Sequence, residues 1–131
     1  YILYFIFNKL ILFNLNLLTK LFIRSNLITD VSALSNLTQL LELYANNNEI
    51  TDVSPLGKIV GLQKLDLRNN RIGGLGIGNV DSLLSLTNVT QVWLSGNVTM
   101  SCSELESLVL GLGPAAIDIS TPQSGVNCTF P

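Results

Sequence analysis

Apolar residues fall on a fixed beat through the middle of the chain. In residues 62–72 the apolar positions are Leu62, Leu65, Leu67 and Ile72, with Asn70 set among them. Sliding back 22 residues finds Leu40, Leu43, Ala45, Asn48 and Ile50, and a second slide of 22 finds Leu18, Leu21, Ile23, Asn26 and Ile28. Downstream the frame returns as Val89, Val92, Leu94 and Asn97. A self-similar period of about 20–50 residues marks a stacked array, in which each unit covers the apolar face of the next. Within a unit the alternation predicts a short strand: Leu21 and Ile23 point inward while Lys20, Phe22 and Arg24 point outward. The return segment places Ile28, Val31, Leu34 and Leu37 at spacings of three, which suits a 3₁₀ turn. Asn26, Asn48, Asn70 and Asn97 form a structural ladder that turns inward and satisfies backbone groups of neighbouring units.

The departures from the beat are also informative. In the second unit Ser54–Pro55 reads as a helix start, with Ser54 as cap and Pro55 in the first turn. The third unit runs 27 residues, and Gly76–Ile77–Gly78–Asn79 reads as an excursion on the convex or descending side. After Met100 the repeat breaks, and 103–110 reads as a helix with Ser103 as N-cap and Leu105, Leu108 and Val109 as its apolar stripe. Gly111 and Gly113–Pro114 should stop it, and Ile117–Asp118–Ile119 is a candidate final strand. The chain opens on Tyr1 and not Met, which suggests a fragment or a processed chain. Residues 1–17 are apolar but interrupted by Asn8, Lys9, Asn14 and Asn16. They make a weak membrane span and lack signal-peptide features, so a degenerate partial repeat or apolar lead-in is preferred.

Composition narrows the function classes. Charged residues make up only 12% of the chain and apolar ones 47%, as expected where strands and turns feed one continuous core. A net charge of −2 with no basic cluster argues against nucleic acid. Histidine is absent, which removes the usual general base and the commonest zinc ligand. Cys102 and Cys128 form neither a redox motif nor a zinc knuckle; a disulfide is preferred over two free thiols and points to an oxidising compartment. Asp30 and Asp52 recur at one repeat position, but calcium wants about 6–8 converging oxygens, so turn capping is the better reading. Glu104 and Glu106, at i and i+2 of a helix, do not share a face and so cannot act as a carboxylate pair. Sequons occur at Asn36, Asn88, Asn97 and Asn127; they are read as chance matches, and Asn97 is a ladder position that should be buried.

The unit L-x-x-L-x-L-x-x-N-x-I-T-D-V-S-x-L, present over 18–34 and again over 40–56, resembles the bacterial internalin-type leucine-rich repeats. The resemblance runs from about Leu18 to Met100, and the tail from Cys102 to Cys128 resembles the disulfide-closed cap of some secreted bacterial repeat proteins. It implies an α/β leucine-rich-repeat right-handed solenoid with a parallel concave sheet, short 3₁₀ or helical convex turns and a C-terminal helical cap. The expected organisation is a lead-in over 1–17, repeats over 18–101 (18–39, 40–61, 62–88 and 89–101) and a cap over 102–131. It also implies a secreted or cell-surface module that binds a protein or a glycan. No catalytic residue, cofactor, metal or stable membrane span is expected, and the module should be monomeric.

The outward strand positions then line up as columns on the concave face. The central column is Phe22, Tyr44, Asp66 and Trp93; one flank begins Lys20, Glu42 and Lys64, and the other carries Arg24 and Arg68. Large aromatics and arginines at solvent-facing positions are the usual interface anchors. The alternative to a binding face is a structural spacer and cap of a longer array whose binding lies elsewhere.

Overall fold

The structure, a computed structural model, describes residues 15–73, 80–97, 100–113 and 117–118. The expectations for residues 1–14 of the lead-in, for Gly76–Asn79, for Pro114 and Ile119, and for Asn127 and Cys128 lie outside the described residues. Five strands follow one another in chain order across a single parallel sheet: β1 (Lys20–Phe22), β2 (Glu42–Tyr44), β3 (Lys64–Asp66), β4 (Gln91–Trp93) and β5 (Ile117–Asp118). The register aligns Leu21, Leu43, Leu65, Val92 and Ile117 as one inward column. Three 3₁₀ segments, Ser32–Asn36, Ser54–Lys58 and Val80–Ser85, run behind the sheet, and helix α1 (Cys102–Leu112) packs on the last of them. This is a leucine-rich-repeat arc.

The core is a single cluster running the length of the stack. The coil over 18–39 buries Leu18, Leu21, Ile23, Ile28, Val31, Leu34 and Leu37; its neighbour buries the equivalent seven from Leu40 to Ile59. Fully burying one such side chain is worth about 1.5–3 kcal/mol. Much of each coil's apolar surface is covered by the next coil, so no unit would hold its shape alone.

The polar ladder ties one coil to the next. Asn48 Oδ1 accepts from Ile28 N at 3.0 Å, Asn70 Oδ1 from Ile50 N at 3.0 Å, and Asn97 Oδ1 from Ile72 N at 3.1 Å. Each amide also donates to a carbonyl of its own coil and one of the coil before, as Asn70 Nδ2 does to Leu67 at 3.0 Å and Ala45 at 3.1 Å. Asn26 donates to Ile23 and Arg24, both in its own coil, and is half-buried. Each of β1 to β4 exits through a left-handed residue: Ser25 (φ 56°), Asn47 (57°), Asn69 (52°) and Gly96 (79°). At Gly96 a Cβ would run into Asn69 Oδ1, so glycine is favoured there for space as well as for its left-handed backbone.

The segment starts differ from the sequence-based expectation. Ser54 does not cap its 3₁₀ turn; Val53 holds the cap position without a side-chain bond, and Asp52 Oδ1 accepts from Ser54 N at 2.8 Å. Asp30 does the same for Ser32 at 2.8 Å. An aspartate one residue before the cap position reaches the exposed N–H, leaving the serine free to face solvent. Helix α1 starts earlier than its apolar stripe implies. Its N-cap is Ser101, not Ser103, in a reciprocal capping box: Glu104 N donates to Ser101 Oγ at 3.3 Å and Ser101 N to Glu104 Oε2 at 2.7 Å. Gly111 lies inside the helix, and Gly113 (φ 91°) ends it, donating to Val109 O at 3.0 Å. Among the described residues, no helix is long and apolar enough to cross a membrane.

Candidate functional site

The concave face is built by strands only three residues long, whose middle residue points inward and whose outer two point out. Parallel register converts the sequence repeat into columns: Phe22 lies beside Tyr44, Tyr44 beside Asp66, and Asp66 beside Trp93. Lys20, Glu42, Lys64 and Gln91 form the flanking column in the same register.

At the β1–β2 end the rings of Phe22 and Tyr44 stack with centroids 4.7 Å apart and planes within 4°. Adjacent strands lie about 4.7–4.9 Å apart. The centroid separation thus matches the strand spacing, so adjacent strands hold the two rings face against face. Tyr44 Oη donates to Glu42 Oε2 at 3.0 Å, which pins the ring. Glu42 also takes Lys20 Nζ at 3.0 Å and lies 4.0 Å from Lys64 Nζ. The Lys20 hydrogen bond holds the Glu42 carboxyl below the usual glutamate range against the opposing effect of burial, helped by Tyr44 and by both lysine charges. The Tyr44 phenol is raised, first by burial and then by its hydrogen bond to Glu42, with the Glu42 and Asp66 charges adding to the effect.

The β3–β4 end is organised by a buried acid. Asp66, expected to face outward in the central column, is only 2% exposed. Its short side chain sits low between Tyr44 and Trp93, where Arg68 folds over it. Arg68 Nε donates to Oδ1 at 2.9 Å, Nη2 to Oδ2 at 2.6 Å, and the Arg68 N–H to Oδ1 at 3.1 Å. The guanidinium carbon lies 5.9 Å from the Trp93 ring centroid, in cation–π range. Arg68 has its pKa raised first by the Asp66 hydrogen bonds, with the Asp66 and Asp118 charges adding to the effect. The bidentate fork suits this role because guanidinium and carboxylate are planar and matched in width.

The structure thus brings Lys20, Phe22, Glu42, Tyr44 and Lys64 together as one polar–aromatic group, and Asp66, Arg68 and Trp93 as a second. Arg24 is exposed at the β1 end. Cys102 opens α1, away from the strands that carry these residues. One member of the central column escaped the sequence reading: Asp118, in register with Trp93. The signal was present in Ile117–Asp118, which repeats the inward–outward pair of the other strands. It was weakened because Pro122 stands where the ladder asparagine would fall. Among the described residues, no group of three or more Cys, Asp or Glu gathers as a metal site.

Comparison with known proteins accords with this geometry. The family model for leucine-rich repeats (two copies) matches residues 16–58 and, overlapping, 38–76. Internalin C2 of Listeria monocytogenes is similar in structure at a TM-score of 0.55 and 33% identity, over 62% of this chain and 34% of that one. The chain carries leucine-rich repeats over residues 16–76 and is similar in structure to internalins. A second Listeria monocytogenes internalin, inlF, matches at a TM-score of 0.52 and 26% identity, over 83% of this chain and 37% of its own. The chain therefore spans about a third of the length of either structure. Comparison with curated protein sequences gives no match.

Proposed function

We propose that this chain is a non-catalytic recognition module that binds a protein partner through its concave sheet. The observation that carries the reading is the central column, in which Phe22, Tyr44 and Trp93 occupy outward positions and are held in place by neighbours rather than left to rotate. Rings fixed before binding lose little conformational freedom on association, which is why such residues dominate interface energies. The stacked pair turns one face of each ring onto the other, which leaves less aromatic face open for sugar stacking and favours a protein over a glycan. The reading includes secretion or surface display, a monomeric state, and a Cys102–Cys128 disulfide closing the C-terminal cap.

The test is capture of surface proteins by the chain carrying Phe22→Ala, Tyr44→Ala or Trp93→Ala, with circular dichroism to verify the fold. Loss of capture supports the concave face. Unchanged capture by folded variants would sink it in favour of the spacer-and-cap reading, which draws on α1 and β5 closing the last coil.

A further inference from the structure

We infer that Arg68 is a preorganised anchor for a carboxylate, and that the partner segment bound on this face presents an acidic side chain to it. The inference rests on the concave-face reading and gives the partner its chemistry. Charge distribution is the first support. Four of the chain's seven Lys and Arg, at 20, 24, 64 and 68, lie in or two residues after the strands of this sheet, against Glu42, Asp66 and Asp118 of its nine acids. These segments therefore carry one more positive than negative charge on a chain of net charge −2, so an acidic segment meets less repulsion here than on the rest of the chain, even with Asp66 and Asp118 near Arg68.

Geometry is the second support. A free arginine samples many rotamers, and binding must order it. Here the order already exists: Asp66 grips the Nε–Nη2 edge from below and Trp93 lies beside the guanidinium plane. The remaining Arg68 N–H groups have no partner among the described residues, and the side chain is 44% exposed. Asp66 acts as a positioning residue, buried and sealed, so it does not itself meet the ligand. Lys64, 39% exposed and held only loosely by Glu42, stands one column over and can take a second oxygen. The stacked rings of Tyr44, on the adjacent strand, and Phe22, one strand further, offer the apolar contact that gives the carboxylate its neighbour.

The experiment pans a random phage-displayed peptide library on the full chain and measures the selected peptides as synthetic ligands by fluorescence polarisation. The expected ligands contain an Asp or Glu whose replacement by Asn or Gln weakens binding about tenfold or more. That penalty should vanish in Arg68→Gln, and Arg68→Lys should restore only part of it. Arg68→Gln strands the buried Asp66, so the same measurement is made in Asp66→Asn/Arg68→Gln, which leaves no unpaired charge. Peptides that lose binding in Phe22→Ala and Tyr44→Ala but ignore both the Arg68 variants and the acid-to-amide change would overturn the carboxylate anchor while sparing the concave face. Peptides indifferent to every concave variant, or a library that yields no ligand, would overturn both.

Discussion

Replacing Asn70 by alanine tests whether the ladder holds the coils together. Asn70 is 5% exposed, and its Oδ1 is the acceptor for Ile50 N at 3.0 Å. Ile50 is fully buried, so without that oxygen its N–H faces apolar neighbours. An orphaned buried donor costs about 1–3 kcal/mol. The amide's other partners suffer less, because Ala45 O keeps the Asn48 amide and Leu67 O keeps the Asn97 amide. Adding their partial loss and the space left behind gives a total of about 2–5 kcal/mol, a large share of the roughly 5–15 kcal/mol that stabilises a domain. Asn26→Ala is the control. Its partners are Ile23 and Arg24 carbonyls, and Ile23 O retains the Asn48 amide, so about 1 kcal/mol is expected. The assay is urea denaturation followed by circular dichroism and by fluorescence of Trp93, the single tryptophan; coincident transitions would justify reading midpoints as free energies. Equal losses in Asn70→Ala and Asn26→Ala, or a loss below about 1 kcal/mol in both, would refute the inter-coil role.

Three further outcomes follow from the same geometry. The Glu42 carboxyl is held low in the folded chain, so it stabilises above the unfolded value of about 4.3 and that contribution disappears as pH falls through the folded value; Glu42→Gln should therefore flatten the acid limb of melting temperature against pH, and an unchanged limb would count against the Lys20–Glu42 pair. Gly96→Ala meets both a left-handed backbone and Asn69 Oδ1 and should cost about 1–3 kcal/mol or more in urea, whereas Gly111→Ala meets only the end of the Leu84 side chain inside a helix and should change stability by about 1 kcal/mol or less. Ser101→Ala breaks the capping box and should cost about 1 kcal/mol by thermal melting, while Ser103→Ala should cost less.

The strands were legible because a parallel stack reuses one environment: the place occupied by Leu21 is the place occupied by Leu43 and Leu65, so the same residue type recurs at the same spacing. The 3₁₀ turns were legible for the same reason, and Asp30 and Asp52 could be assigned to turns because nothing else near them pointed to a ligand set. The start of α1 was misplaced because Ser101 and Ser103 both qualify as caps. Spacing alone does not choose, because Ser101 has Glu104 three residues on and Ser103 has Glu106; the folded chain closes the box between Ser101 and Glu104. Asp118 was hidden because it belongs to a strand outside the repeating unit, with no ladder residue to announce it.

By itself the sequence determined the repeat, the inward column and which side chains share the concave face, since a two-residue strand alternation and a coil-length period are local properties of the chain. What only the tertiary structure decided is how those outward residues treat each other. An aspartate in an outward column reads as exposed; Asp66 is buried because Arg68, two residues on, folds back over it while Tyr44 and Trp93, brought alongside from other coils, wall it in. Stacking, ion pairing and burial depend on distances between coils, and no spacing along the chain records them.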